Sequence, residues 1–308
     1  MTVTTIAIAG ISSKLAVRVA AAILQRPHVH LRGSCRDKTK LPADLQAHPR
    51  LHLVETGPHD ASALRALVRG CDAVVCCYYA DNATMVSAQK LLIDACEAES
   101  VPRYLASDYT ADYRKLDYGD IPEKDPMKDV LTYLQGKQNV KGVHVLVGLL
   151  IETFLGFVSG WDARERVFRF WGTGEERVWE ITSYRTAAEY VAAVALDPTA
   201  IGFLKFLGDR KSMAEIADVM QSVYRIRPRL ESLGTVAECN QRRLVDGQND
   251  LAKLHAQASY FLLIGKPSLG DDLDNSRYPE VKPETIRDYF EARGIDNIVG
   301  SEFAITEK

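Results

Sequence analysis

The turn after the first apolar run of the sequence has residues suited to binding a phosphate. Gly10 is followed by Ser12 and Ser13, and then by a segment with apolar residues at helical spacing. A strand, a glycine turn and a helix N-terminus can bind a pyrophosphate, because the first helical N–H groups carry a partial positive charge. Ser13 stands where a full dinucleotide fingerprint has glycine, so its Cβ crowds the phosphates while its hydroxyl can donate to them. We predict dinucleotide binding through Gly10, Ser12 and Ser13; a turn that binds nothing is the alternative.

The end of the second predicted strand carries the residues that would select the cofactor. An NAD site usually has an acidic residue here, about 20 residues beyond the glycine turn, to bind the ribose 2′-hydroxyl. Cys35 holds that position and Arg36 follows it. A guanidinium suits a 2′-phosphate, because it forms bidentate, charge-assisted hydrogen bonds. The pattern favours NADP(H) over NAD(H), although Asp37 argues against this choice and a plain surface arginine is the alternative.

Polar and aromatic side chains follow the fourth and fifth predicted strands. Ser107 can bind a substrate oxygen, and Tyr109 can donate a proton or stack on a ring, so both are candidate catalytic residues. Asp108 and Tyr113 are candidate substrate contacts, and Tyr78 is a candidate contact for the cofactor. The alternative is an ordinary strand end, with Asp108 acting as a local cap.

The first half of the chain contains the elements that must position these residues. Short apolar runs alternate there with helical patterns, which is typical of strands covered on both faces. The predicted strands are Thr4–Ala9, His30–Cys35, His52–Val54, Ala73–Tyr78, Arg103–Ala106 and Val143–Val147. Six strands interleaved with helices predict an α/β fold with a doubly wound parallel sheet of the Rossmann type.

The second half is less regular and predicts a smaller α+β lobe. Two strands, Val167–Trp171 and Arg177–Ile181, flank a glycine-containing turn, and a further strand is predicted at Phe203–Leu207. A capping box at Ser212 opens one of several helices. We predict a dinucleotide-binding domain over residues 1–155 and a substrate-binding lobe over 156–308, packed together as one unit.

Composition excludes several classes of protein. The 308 residues carry 38 Lys+Arg and 41 Asp+Glu, and this balance argues against a nucleic-acid binder. The longest apolar stretches are too short to span a membrane. The six cysteines lack metal-site spacing, so we expect buried free thiols and a cytoplasmic protein. The expected partner is a small-molecule substrate, with no metal, no nucleic acid and no membrane, and the protein is expected to be a monomer or a homodimer.

Four segments resemble the NmrA-like, isoflavone-reductase-like group of atypical short-chain dehydrogenases, particularly its fungal members. They are the turn GISSKLA, the Cys-Arg-Asp after the second strand, the segment VPRYLASDY, and the C-terminal LDNSRYP followed by Lys282-Pro283. The resemblance implies an NADPH-dependent reductase or dehydrogenase that acts on small, often aromatic, metabolites. The same group also contains members that only sense the cofactor and regulate other proteins, so the resemblance implies this function as well.

The resemblance also implies a lysine that serves catalysis and cofactor binding in the helix after strand five. Lys128 is the closest match, 15 residues before Val143. The alternative is an exposed helix lysine. Tyr133 and Lys137 match the Tyr-x-x-x-Lys spacing of many short-chain dehydrogenases, but Gly136 is expected to end that helix before Lys137. We therefore favour Lys128.

These observations predict an NADP(H)-dependent oxidoreductase of secondary metabolism that acts on a small, aromatic or polyketide-like molecule. Two other functions stay open. One is an NADP(H)-sensing regulator without turnover, and the other is a non-redox isomerase or cyclase that reuses the pocket. Ser13 and the missing Tyr-x-x-x-Lys at the expected place support both alternatives.

Overall fold

The computed structural model describes residues 4–245 and 250–298. The strands are β1 (Thr4–Ala9), β2 (Val29–Cys35), β3 (Leu51–Glu55), β4 (Ala73–Cys76), β5 (Arg103–Leu105), β6 (Lys141–Leu146), β7 (Leu149–Leu150), β8 (Trp161–Asp162), β9 (Val167–Phe170), β10 (Trp179–Thr182), β11 (Gly202–Lys205), β12 (Asp209–Lys211) and β13 (Arg229–Ser232). The helices are α1 (Lys14–Leu24), α2 (Ala43–Gln46), α3 (Ala61–Val68), α4 (Asn82–Ala98), α5 (Asp125–Gln135), α6 (Ile151–Thr153), α7 (Tyr184–Leu196), α8 (Met213–Tyr224), α9 (Val236–Arg243), α10 (Asp250–Leu263) and α11 (Ile286–Glu291).

Seven parallel strands form the central sheet, in the order β11-β6-β5-β4-β1-β2-β3. Strands β1 to β6 lie in the order β6-β5-β4-β1-β2-β3, which is that of a dinucleotide-binding fold. The predicted Rossmann-type sheet is therefore confirmed. Its seventh strand, β11, comes from the second half of the chain and pairs with β6, with Gly202 opposite Val143. The sequence predicted this strand but placed it in the smaller lobe, because periodicity does not reveal which sheet a strand joins.

Helices cover both faces of this sheet. Along β1, Ile6 and Ile8 pack on the face that holds α1 and α7, whereas Ala7 and Ala9 pack on the face that holds α3, α4 and α5. This alternation follows from the two-residue period of a strand. Both apolar layers are closed to water, which explains why β1 from Ile6 onward and the whole of β4 are apolar.

Segments that carry the family resemblance fasten α7 to the sheet. The guanidinium of Arg103, on β5, is buried and donates to the carbonyl oxygens of Val194, Ala195 and Asp197 at the C-terminal end of α7. Arg277 donates to the Asp197 carboxylate at 2.7 Å. A helix C-terminus has unpaired carbonyls and a partial negative charge, so these arginines stabilise it. The VPRYLASDY and LDNSRYP segments therefore have a structural role.

The remaining strands form two small sheets, ordered β12-β10-β7 and β13-β9-β8. The strands predicted at Val167–Trp171 and Arg177–Ile181 are present as β9 and β10, but they do not pair with each other, because they belong to different sheets. Between them, Glu176 accepts hydrogen bonds from the backbone N–H of Thr173, so this segment forms its own turn and does not pair the two strands. The predicted boundary between the two domains at residue 155 stays a prediction. Two elements from beyond it, α7 and β11, pack on or pair with the central sheet.

The six cysteines are all buried and free, as predicted. Burial raises the pKa of the Cys71 thiol to about 11, which keeps it protonated at neutral pH. Within residues 4–245 and 250–298, no helix is both long and apolar enough to cross a membrane.

Candidate functional site

The glycine turn after β1 requires glycine at its first position. Gly10 has φ of +76°, and a Cβ there would lie 2.9 Å from the carbonyl oxygen of Cys77 and 3.1 Å from Cδ1 of Tyr78. Its N–H and that of Ile11 both donate to the carbonyl of Ser34. The turn therefore crosses the ends of β4 and β2, at the carboxyl edge where ligands bind in such sheets.

Ser13 is the N-cap of α1, and its Oγ accepts a hydrogen bond from the N–H of Ala16 at 3.2 Å. The hydroxyl hydrogen is still available to donate to an anion. The first turn of α1 contains no acidic residue, and the exposed Lys14 is its first residue. Ser12 is half-buried in the same turn. This helix N-terminus is therefore electrostatically suited to phosphate, and phosphate binding through Ser12 and Ser13 stays a prediction.

Replacing Ser13 separates its two roles. We expect Ser13→Gly to tighten NADPH binding, because the Cβ no longer crowds the pyrophosphate, and to lower the free energy of unfolding by only a few tenths of a kcal/mol. Ser13→Ala keeps the Cβ and loses the cap, so it should cost about 1 kcal/mol of stability without tightening binding. Calorimetric titration and thermal unfolding measure the two effects. Weaker binding by Ser13→Gly would show that the hydroxyl matters more than the crowding.

Tyr78 packs against this turn. Its side chain is half-buried, and among the described residues its hydroxyl oxygen is buried without a hydrogen-bond partner. Burial raises the pKa of this phenol well above its usual range, so it stays a neutral donor. A buried hydroxyl without a partner is unfavourable and is usually explained by an absent ligand or water. Only Cδ1 of this ring approaches the Gly10 turn, whereas the phenol interacts with the buried thiols of Cys76 and Cys96, so the predicted contact of Tyr78 with a cofactor stays a prediction.

The end of β2 presents a free guanidinium. Arg36 is exposed, and none of the described carboxylates pairs with it. Asp37 instead accepts hydrogen bonds from the backbone N–H and the hydroxyl of Thr39, and these bonds lower its pKa. Lys38 pairs with Glu55 at 3.3 Å. The acidic residue that argued against NADP(H) is therefore engaged locally, while Arg36 is available.

Two candidate catalytic residues after β5 use their hydroxyls within the protein. Ser107 is buried and donates from Oγ to the carbonyl of Tyr78 at 2.8 Å. The hydroxyl of Tyr109 donates to the carbonyl of Cys76 at 3.0 Å, and burial raises its pKa well above its usual range. Both residues connect the ends of β4 and β5. Each hydroxyl therefore has a structural partner in the protein. The catalytic roles predicted for Ser107 and Tyr109 stay predictions.

Beside them lies a buried cluster of three polar side chains. Oδ2 of Asp108 accepts from the hydroxyl of Tyr113 at 2.9 Å and lies 2.5 Å from Nδ1 of His144 on β6. All three are almost fully buried, and Oδ1 of Asp108 has no partner among the described residues. Phe203 covers the cluster, stacked on the His144 ring with centroids 4.4 Å apart. Asp108 and Tyr113, predicted as substrate contacts, therefore lie beneath the surface of the site.

Lys124 is the last residue before α5, on the segment that follows the loop after β5. Asn82, at the start of α4, donates to the carbonyl of Pro122 at 2.9 Å, which holds this segment against the end of β4. Lys124 is half-buried, and desolvation lowers its pKa, opposed by the charges of Glu123 and Asp108. Lys124 therefore lies between the loops that follow β4 and β5, at the same edge as the glycine turn.

The two lysines considered from the sequence have other partners. Lys128 forms an ion pair with Asp125 at 3.1 Å and lies over the ring of Tyr118. Tyr133 and Lys137 both contact Asp94 near the C-terminal end of α5, which leads into the start of β6. Tyr133 and Lys137 therefore lie at the amino edge of the sheet, opposite the glycine turn. This agrees with setting the pair aside as the catalytic motif. The role of Lys128 stays a prediction.

A small cavity of about 10 Å³ lies between these loops and the second lobe, and it has room for about one water molecule. Arg177 lines it, with desolvation lowering its pKa, and Nε of this residue has no partner among the described residues. The other lining residues are Ala111, Gly148, Leu149, Trp179, Glu180, Leu262 and Pro267.

Comparison with known protein families agrees with this geometry. Residues 10–139, from the glycine turn to the start of β6, match the family model described as NAD(P)H-binding. The chain carries an NAD(P)H-binding domain. The predicted nicotinamide dinucleotide cofactor is thereby confirmed, and Gly10 and the N-terminus of α1 lie at the beginning of the matched region.

Solved structures share the fold of the NAD(P)H-binding domain and of the lobe after it. AtPrR2 with NADP+ and (+)pinoresinol has a TM-score of 0.77 at 15% identity, over 95% of this chain and 99% of that one. An isoflavone reductase has a TM-score of 0.74 at 15% identity, over 94% and 99%. A nucleoside-diphosphate-sugar epimerase from Staphylococcus aureus has a TM-score of 0.70 at 13% identity, over 94% and 100%. The resemblance to isoflavone-reductase-like proteins is confirmed in the fold; no curated protein sequence matches significantly.

Sequence reasoning missed three residues of this site. His144 lies in the apolar run of the sixth predicted strand and belongs to no motif, and its partner Asp108 is 36 residues away. Arg177 lies in the irregular half and carried no motif. Lys124, four residues before Lys128, belongs to no motif; the nearby Pro122, which indicates a turn before the helix, is its one local signal.

Proposed function

We propose that the protein is an NADP(H)-dependent reductase or dehydrogenase of a small aromatic metabolite. The observation that carries the proposal is the position of Lys124, a half-buried lysine with a lowered pKa at the edge of the sheet where the NAD(P)H-binding turn lies. Perturbed titratable groups at such an edge are typical of active sites.

The chain's own residues fit the cofactor. Gly10 and the N-terminus of α1 would hold the pyrophosphate, with Ser13 donating its hydroxyl hydrogen. Tyr78, whose Cδ1 packs beside Gly10, would line the cofactor at the same turn. Arg36 would bind the 2′-phosphate, which supports NADP(H) over NAD(H). When bound, the nicotinamide supplies or accepts a hydride.

Lys124 would handle the proton that accompanies hydride transfer. Desolvation favours the neutral amine, so this ammonium gives up its proton more easily than an exposed lysine does. An acid whose pKa approaches the working pH is the more effective donor. Lys128 keeps its ion pair with Asp125, which stabilises the first turn of α5. We therefore propose Lys124 as the catalytic lysine, in place of Lys128.

Two observations support an aromatic substrate. Tyr79, directly after β4, leaves 70% of its surface exposed at the same edge, and an aromatic ring can stack on it. Two solved structures with this fold are named for aromatic compounds, (+)pinoresinol and isoflavone. We extend that class of substrate to this chain.

A cofactor-sensing protein without turnover is the second candidate. It is favoured by the two phenols of the loop after β5, Tyr109 and Tyr113, whose hydroxyls both bond inside the protein. Such a protein would bind NADPH through the same turn and leave Lys124 without a substrate.

Cofactor binding and oxidation test both candidates. We expect calorimetry to detect NADPH binding, and absorbance at 340 nm to fall when a panel of aromatic ketones, enones and benzylic ethers is added. Binding without oxidation across the panel would favour the sensor. Absence of NADPH and NADH binding at millimolar cofactor would overturn the redox proposal.

A further inference from the structure

Arg177, in the second lobe, carries a positive charge without an ion-pair partner. Its guanidinium donates from Nη2 to Oγ of Ser268 at 2.9 Å. Its Nε is buried without a hydrogen-bond partner, and none of the described carboxylates pairs with the group. A buried donor and a half-buried cation that lack partners are both unfavourable, and such groups are usually completed by an anion or a water.

Glu180 is the carboxylate that lines the same cavity, and both of its oxygens are already used. Oε1 accepts from Arg210 at 3.0 Å, and Oε2 accepts from the backbone N–H of Leu269 at 2.7 Å. Two guanidinium groups therefore share this part of the lobe with one buried carboxylate. Asp271, the other carboxylate paired with Arg210, is almost fully exposed to water. The buried charges consequently leave Arg177 uncompensated.

The small cavity beside Arg177 lies where ligands bind in open α/β sheets. One wall comes from Ala111, in the loop after β5, and another from Gly148, which follows β6. Gly148 has φ of +69°, and a Cβ there would lie 2.5 Å from the carbonyl oxygen of Glu180, so the two lobes meet closely here. The carboxyl ends of parallel strands form the ligand-binding edge of such sheets. Arg177 therefore reaches from the second lobe to that edge.

The lining of the cavity combines this cation with apolar groups. Leu149, Trp179 and Leu262 line it, and the guanidinium carbon lies 5.8 Å from the centroid of the Trp179 ring. The volume of about 10 Å³ has room for about one oxygen atom, so the body of a ligand must lie outside against the apolar residues. A cation in an apolar wall binds an anionic oxygen that is attached to an apolar body.

We infer that Arg177 is a substrate-binding residue that selects aromatic molecules with an acidic oxygen, either a phenolate or a carboxylate. Nε donates to that oxygen inside the cavity, and the ring packs against Leu149 and Leu262. Ser268 fixes the orientation of the guanidinium through Nη2. This inference rests on the proposed function, because it specifies further the aromatic substrate proposed there.

Two pairs of probes test the inference: 4-nitrophenolate with nitrobenzene, and benzoate with benzamide. Within each pair the ring is the same, and only one member carries a negatively charged oxygen. Calorimetric titration in the presence of NADP+ measures their affinities without turnover. We expect the anion of at least one pair to bind about tenfold more tightly than its neutral match, as a charge-assisted hydrogen bond predicts. The pair that shows the preference identifies the acidic group.

Two variants change the cavity in different ways. Arg177→Gln should abolish the preference for the anion and leave the affinity for the neutral probe nearly unchanged. Ala111→Val fills the cavity and leaves Arg177 in place, so it should weaken binding of the anion by about tenfold. Arg164→Gln is the matched control, because it removes one exposed positive charge from the same lobe. Thermal unfolding and NADPH binding establish that each variant is folded.

Equal affinities within both pairs would overturn the inference and leave a bound water as the partner of Arg177. Acetate binding as tightly as the preferred aromatic anion would also overturn it, because the site would then recognise charge alone. A preference that Arg177→Gln abolishes, in a protein that oxidises no NADPH, would contradict the proposed reductase and leave the binding site standing. Oxidation of NADPH by neutral aromatics, without any gain from an acidic oxygen, would support the reductase and overturn the inference.

Discussion

Lys124→Met should lower turnover by about 10²–10⁴-fold while leaving NADPH affinity nearly unchanged. Proton transfer by a positioned acid contributes that range of rate, and methionine fills a similar volume without a transferable proton. Lys124 has no ion pair among the described residues, and its ammonium is partly desolvated, so its removal should not reduce stability. Single-turnover oxidation of bound NADPH measures the chemical step directly.

Lys128→Met and Lys137→Met are the matched controls for this experiment. Lys128 lies one helical turn further along the chain and is paired with Asp125, and Lys137 is paired with Asp94 at the opposite edge of the sheet. Both variants should keep turnover within a few-fold of the natural protein. Loss of activity in Lys128→Met with activity retained in Lys124→Met would show that the original assignment from the sequence was right. Full activity in all three would place the proton donor in the 107–113 loop or in water.

Arg36→Ala should weaken NADPH binding by about 10- to 150-fold and change NADH binding little. The variant loses charge-assisted hydrogen bonds to the 2′-phosphate, worth about 1.5–3 kcal/mol. Arg36 is exposed at the end of β2 and no described carboxylate pairs with it, so the fold should not depend on it. Calorimetric titration with the two cofactors measures the difference.

Lys40→Ala is a suitable control, because it removes one exposed positive charge from the same segment without a planar guanidinium. Its effect on NADPH should be no more than a few-fold and should disappear at high salt. Equal losses of NADPH and NADH affinity in Arg36→Ala would mean that Arg36 supports the turn and does not distinguish the cofactors.

The dinucleotide-binding half could be predicted because its signals are local. The apolar runs of β1 and β4 need both faces covered, and this favours a parallel sheet between helices. Gly10 is required by a positive φ and by the close approach of the Cys77 carbonyl, and Ser13 starts the helix as its cap. Turn and cap chemistry acts over three or four residues, so the sequence shows it directly.

The second half and the partners of the buried polar residues needed the tertiary structure. Strand β11 joins the central sheet, and β9 and β10 separate into different sheets, through pairings between distant parts of the chain. Hydrophobic periodicity gives the type of an element and the face it buries, but strand neighbours depend on the packing of the whole layer.

The sequence by itself determined the strand, the glycine turn at Gly10, the helix capped by Ser13, and the presence of an arginine at the end of β2. Only the tertiary structure showed that Lys128 pairs with Asp125, that Lys124 is half-buried, and that His144 contacts Asp108. Lys124 and Lys128 are four residues apart, which is about 6 Å along a helix axis, so both satisfy the same sequence pattern. The choice between the two lysines depends on where the segment after β4 and the loop after β5 meet the start of α5. Those contacts join residues about 15 to 40 positions apart, and no local pattern encodes them.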